Sequence, residues 1–137
     1  MVDRLSPDEA FELMRDAGYI YVDVRDEDEF DEGHPEGAYN VPFVLGASGE
    51  NPDFIEVCTR TFGKEAKLIV GCKSGVRSLS AAHALAEAGF CNVKDLRPGF
   101  FGSRGPFGEK IEAGWNASQP VERGTPPARA YRDLLRS

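Results

Sequence analysis

No run in this chain comes near the roughly 18 consecutive apolar residues that a membrane-spanning helix needs, and its opening Met1-Val2-Asp3-Arg4 lacks the basic-then-apolar order of a secretory leader. The expectation is a soluble cytoplasmic protein with no membrane partner. Basic residues are in the minority: 16 Lys and Arg face 23 Asp and Glu, a formal charge of -7, and that balance argues against nucleic acid as a ligand. The three cysteines, Cys58, Cys72 and Cys91, are odd in number and far apart, so neither a disulfide framework nor a zinc ribbon is suggested. Cys58 and Cys91 fall among apolar residues and are expected to be buried packing. Internal repeats and low-complexity tracts are missing as well. What remains is 137 residues, 41% of them hydrophobic, enough for one domain with a real core.

Strand and helix signals alternate along that domain. Ser6-Pro7-Asp8-Glu9 is a capping box with proline at the first helical position, and Ala10, Leu13, Met14 and Ala17 follow at helical spacing until Gly18. Tyr19 to Val24 reads as a buried strand, and Glu27 to Glu32 as a short helix stopped by Gly33. The acidic run from Asp26 to Glu32 reads as a solvated helix face, with a docking surface for a basic partner as the alternative. His34-Pro35-Glu36-Gly37 is turn chemistry, Ala38 to Val41 a short strand, and Asn51-Pro52 starts a helix carrying Phe54, Ile55, Cys58 and Phe62. Leu68-Ile69-Val70-Gly71 is a strand, Arg77 to Ala88 a helix with an apolar stripe, and Asn92 to Leu96 another strand. From Arg97 to Gly108, glycines alternate with Phe100, Phe101 and Phe107 in what reads as a loop, either covering the core or forming an apolar rim. Ile111 and Trp115 suggest a brief helix, and beyond Ala117 a Pro- and Gly-bearing tail leads to a short helix through Tyr131, Leu134 and Leu135. The alternation predicts a three-layer α/β/α fold with a mostly parallel central sheet, whose ligands bind beyond the strands' C-terminal ends.

Cys72-Lys73-Ser74-Gly75-Val76-Arg77-Ser78 lies at such an end, between a strand and a helix. Successive N–H groups can curl around one centre there while the positive end of the helix dipole points at it. Gly75 lets the backbone turn, Lys73 and Arg77 add positive charge, and Ser74 and Ser78 offer hydroxyl donors, Ser78 serving equally well as a helix cap. An ordinary thiol, with a pKa of about 8.5, is only about 3% ionised at neutral pH. A loop that stabilises the anion therefore switches on the nucleophile. Asp23 and Arg25 close the preceding strand and are expected to tie loops down by ion pairing, with a cation at the pocket edge as the sharper role for Arg25. His34 and His83 read as bystanders.

These segments resemble the rhodanese family of sulfurtransferases, in order and spacing, from Leu5 to about Val121. Val22-Asp23-Val24-Arg25 with Glu29-Phe30 and Gly33 to Pro42 is similar to that family's first signature, and Cys72 to Ser78 to its active-site loop. The resemblance implies a rhodanese-like domain over residues 1–121, with 122–137 as a C-terminal tail. It also implies a cysteine, Cys72, that takes sulfur from thiosulfate or a similar small donor, holds it as a persulfide, and passes it to cyanide, a small thiol or a protein thiol. An ionised thiolate needs no general base, and no metal or organic cofactor is called for. Two departures stand out. Glu36 occupies a place where the family commonly has proline, and Pro98-Gly99 is separated from Trp115 by an insertion where the family closes the gap, which bears on substrate choice. A rival is the cell-division-cycle dual-specificity phosphatases of the same fold. Their loop has five residues between cysteine and arginine and usually a histidine before the cysteine, whereas here four intervene between Cys72 and Arg77 and Gly71 precedes. A second rival is a carrier or docking module loaded by another protein.

Overall fold

Five strands pair in parallel to form the central sheet of the computed structural model, which describes residues 2–136. They are β1 (Asp3–Leu5), β2 (Ile20–Asp23), β4 (Tyr39–Asn40), β5 (Lys67–Gly71) and β6 (Asn92–Leu96), in the spatial order β1-β6-β5-β2-β4. The helices α1 (Pro7–Asp16), α2 (Glu27–Glu32), α3 (Phe54–Phe62), α4 (Val76–Glu87) and α5 (Tyr131–Leu135) cover it. Two small antiparallel sheets complete the fold: β3 (His34–Pro35) with β9 (Val121–Glu122), and β7 (Gly102–Arg104) with β8 (Lys110–Ala113).

The period-2 alternation of strand side chains divides the interior into two cores. Val22, Val24, Leu68, Val70 and Cys72 pack with α3 through Phe54, Val57 and Cys58, with α4 through Ala82 and Leu85, and with α5 through Tyr131 and Leu134. Tyr21, Ile69 and Leu96 face the other way, onto Ala10 of α1, Phe30 of α2, Phe100 and Trp115. The inner strands β2 and β5 are buried on both faces, which is why each reads as an unbroken apolar run. In register, Asp23 lies beside Gly71, so the strand ends carrying Asp23 and Cys72 are neighbours. No described helix is long and apolar enough to cross a membrane.

Local chemistry fixes the helix ends. Ser6 Oγ accepts the Glu9 amide at 3.1 Å while the Glu9 carboxylate accepts the Ser6 amide at 2.8 Å, and Asp26 and Glu29 repeat the arrangement at the start of α2. Four features depart from the sequence reading. Strand β1 is too short and too charged to announce itself, and exists because Asp3 to Leu5 add to the edge of β6. The stretch from Arg97 onward is not a plain loop: β7 and β8 form a hairpin with Ile111 exposed on a strand, and a 3-10 turn over Trp115–Ala117 follows. Of the acidic run, Asp26, Glu27, Asp28, Asp31 and Glu32 are exposed as expected, while Glu29 is half-buried and turns inward toward Arg77. Cys91, expected in the core, is exposed, because Phe90 takes the inward position at the turn into β6. Cys58 is buried. The tail docks: Tyr131 and Leu134 enter the core, and Tyr131 accepts a hydrogen bond from Asn51 at 2.8 Å.

Candidate active site at the end of strand β5

Strand β5 ends at Gly71, helix α4 begins at Val76, and the four residues between make the turn that holds Cys72. Gly75 sits at φ +99°, and the Gly75 amide donates to the Cys72 sulfur at 3.2 Å. A side chain at Gly75 is excluded twice over. Positive φ disfavours it, and its Cβ would lie 2.1 Å from the Arg97 carbonyl oxygen. The segment 97–101 braces the loop from behind. Phe100 N–H donates to the Cys72 carbonyl at 2.7 Å and Phe101 N–H to the Lys73 carbonyl at 3.0 Å, and Gly99 permits that approach because its Cβ would meet the Lys73 and Ser74 backbone at 2.6 Å. Cys72 is 2% exposed, at the base of the turn and beside the N-terminus of a 12-residue helix. An anion there faces an N–H and the positive end of the helix dipole.

Arg4 and Asp95, which the sequence reading did not single out, carry the loop's outer support. The Arg4 guanidinium donates to Asp95 at 2.7 Å and to the Gly75 carbonyl at 2.9 Å, and the Ser78 hydroxyl donates to Asp95 as well. Ser78 is thus neither directed at the sulfur nor capping α4, whose N-cap is Gly75. Burial raises the Asp95 carboxyl above its usual value, with the Ser78 and Arg4 bonds pulling the other way. An acid next to Leu96 near the end of a strand that reads towards the core was the visible signal for Asp95. Arg4 gave none. Tyr21 also went unread: its hydroxyl lies 1.7 Å from where a Gly71 Cβ would be, so Tyr21 dictates glycine before the nucleophile.

The cations divide into bound and free. Arg77 donates to Glu29 at 3.1 and 3.3 Å; burial opposes its charge, but the Glu29 carboxylate outweighs that and raises its pKa. Burial alone would raise the Glu29 carboxyl, and the bonds from Arg77 and the Asp26 amide hold it below its usual 4.5. Arg25 is wholly buried, paired with Asp23 at 2.7 Å, donating to the Gly33 carbonyl at 2.7 Å and lying 4.6 Å over the Phe100 ring. With its donors so committed it acts as a tie between β2, α2 and Phe100. His34 is buried, stacked on Phe30 and bonded to the Phe30 carbonyl and to Glu122. Lys73 is exposed, Ser74 half-buried and Val76 exposed. Two open clefts flank the loop, with Lys73 and Phe101 on the divide between them.

The family model for the rhodanese-like domain matches residues 6–104. The chain is 49% identical over 87 residues to thiosulfate sulfurtransferase 16, chloroplastic, of Arabidopsis thaliana, a match covering 61% of this chain and 72% of that protein. It is 42% identical over 87 residues to senescence-associated protein DIN1 of Raphanus sativus, where the match covers 61% of this chain and spans about half of the relative, 48%. Among solved structures, Rv0390 from M. tuberculosis superposes with a TM-score of 0.76 at 26% identity, over 90% of this chain and 98% of that one.

Proposed function

The chain belongs to the rhodanese-like domain family, and from that premise we propose that it is a sulfurtransferase working through a Cys72 persulfide. The observation that carries the reading is the Gly75 N–H aimed at the Cys72 sulfur beside the α4 N-terminus. In the first half-reaction the Cys72 thiolate attacks the outer sulfur of thiosulfate or a similar donor. The donor's S–S bond breaks, sulfite leaves with its electron pair, and the new S–S bond stays on Cys72. An acceptor thiolate or cyanide then attacks the outer sulfur, and Cys72 departs as thiolate. Each stage places negative charge beside the same amide and dipole, so one fixed group serves donor attack and thiolate release alike. Lys73, exposed next to the nucleophile, offers a charge for the incoming dianion.

The loop argues against phosphoryl chemistry. Arg77 is engaged by Glu29, and the Tyr21 hydroxyl fills the space that a side chain before Cys72 would need. Intact-mass measurement after thiosulfate treatment tests the proposal. One added sulfur, removed by cyanide and absent in Cys72→Ser, is expected, and repeated turnover distinguishes an enzyme from a carrier that loads once. Sulfur added to Cys91 instead, or thiosulfate loading unaffected by Cys72→Ser, would overturn it.

A further inference from the structure

The larger cleft has more surface and more charge than a thiosulfate ion requires. Its volume is about 1480 Å³, whereas small-molecule pockets run to roughly 300–1,000 Å³ and enclose their ligand. One wall is the active-site loop from Lys73 to Val76, and the opposite wall is the β7–β8 hairpin. Lys73, Arg104 and Lys110 line it and make no ion pair among the described residues, while the other two cations on it, Arg4 and Arg97, are held by Asp95 and Glu112. Three cations without a counter-charge on one face, of which Arg104 donates to the Gly108 carbonyl at 3.2 Å, stand out in a chain of formal charge -7.

The same face is apolar where a soluble protein ordinarily is not. Val76 is 74% exposed and Ile111 64%, both lining the cleft, and Phe107 projects from the hairpin tip at 95%. Scattered exposed apolar residues are normal, but a group of them interleaved with cations next to a reactive loop marks an interaction surface. Most of this arm, including all of β8, lies beyond residue 104, outside the segment that the family match covers.

We infer that the cleft docks an acidic segment of a partner protein whose thiol accepts the sulfur from Cys72. This rests on the sulfurtransferase reading for its chemistry, though not for its docking. The partner thiolate attacks the outer sulfur of the persulfide, the S–S bond to Cys72 breaks, and Cys72 keeps that electron pair as thiolate while the partner carries the new persulfide. Charge complementarity selects the occupant: cations on the rim attract acidic chains and repel basic ones.

The test is fluorescence anisotropy with a labelled peptide of alternating Glu and Leu ending in cysteine, against a counterpart with Lys in place of Glu. The acidic peptide should bind at least about tenfold tighter than the basic one at low ionic strength and weaken sharply in 0.5 M salt. Binding should drop at least about tenfold in Arg104→Glu/Lys110→Glu, drop less in Phe107→Ala, and persist in Cys72→Ser. Arg104, Phe107 and Lys110 are exposed, so folding is preserved in those variants. Equal binding of both peptides, or binding indifferent to the double reversal, would overturn the inference. So would displacement of the peptide by inorganic triphosphate at lower concentration than the peptide itself needs, which would mark a phosphate site. Docking in a protein that never loads from thiosulfate sinks the sulfurtransferase reading and leaves the surface standing; loading without docking does the reverse.

Discussion

Replacing Gly75 with alanine should damage sulfur loading far more than an equally strained glycine elsewhere. Gly108, at φ +80° with open space around its Cβ position, supplies the control. An L-residue in the left-handed region costs about 1–2 kcal/mol, and Gly108→Ala should lose that much stability and nothing else. Gly75→Ala adds a Cβ 2.1 Å from the Arg97 carbonyl oxygen, and Arg97 has little freedom to retreat because its N–H is bonded to Leu5 at 2.9 Å. Hard-sphere contact therefore pushes the turn away by about 1 Å. That displacement takes the Gly75 amide, now 3.2 Å from the sulfur, out of hydrogen-bonding range. A hydrogen bond to a charged group contributes about 1.5–3 kcal/mol, which converts to loading slower by about 10- to 150-fold. Quenched intact-mass time courses with thiosulfate give the rate, and urea denaturation gives the stability. Equal loading rates in the two alanine variants would refute the role given to the Gly75 amide at the Cys72 sulfur.

Asp23→Asn leaves the buried Arg25 guanidinium without its counter-charge and should cost about 3–5 kcal/mol in chemical denaturation; a loss below about 1 kcal/mol would mean that Arg25 reaches water. Burial pushes the Cys58 thiol up to about 12, so at pH 8 only about one molecule in ten thousand is ionised there. Peptide mapping after brief iodoacetamide treatment should therefore find exposed Cys91 modified long before Cys58, and early labelling of Cys58 would show α3 opening. Glu29, whose pKa is depressed when folded, contributes stability that is present above its unfolded value of 4.5 and lost as pH falls through the lower folded one. Glu29→Gln should cost about 0.5–1 kcal/mol at pH 7, and the gap to wild type should close below pH 4.5, as denaturation midpoints across pH would record.

The central sheet was readable because burial on both faces writes itself as apolar runs, and α1 because its capping box and stripe agree. The placement of Cys72 and Gly75 in a strand-to-helix turn was readable because the apolar run of β5 stops at Gly71 and the helical stripe of α4 begins just after it. What escaped were the long-range partners. Arg4 touches Gly75 and Asp95 from the far edge of the sheet, and no local pattern marks it. Glu29 sat in a run of acids that looked uniform until its reach to Arg77 was seen. The β7–β8 hairpin was hidden because glycines and isolated aromatics do not alternate cleanly, and Ile111, expected on a brief helix, faces solvent on a strand. Cys91 shows the same limit: apolar neighbours in sequence do not say which of two adjacent residues at a turn points in.

Arg4 also ties the shape of the Cys72 turn to the completeness of folding. Its strand is one of the two edges of the sheet and, among the described residues, pairs with β6 alone. The brace on Gly75 is thus fastened only when residues 71 and 91 positions apart have met. A chain whose edge has frayed keeps Cys72 but loses the guanidinium that holds the Gly75 carbonyl, and with it one of the contacts that fix the turn around the sulfur.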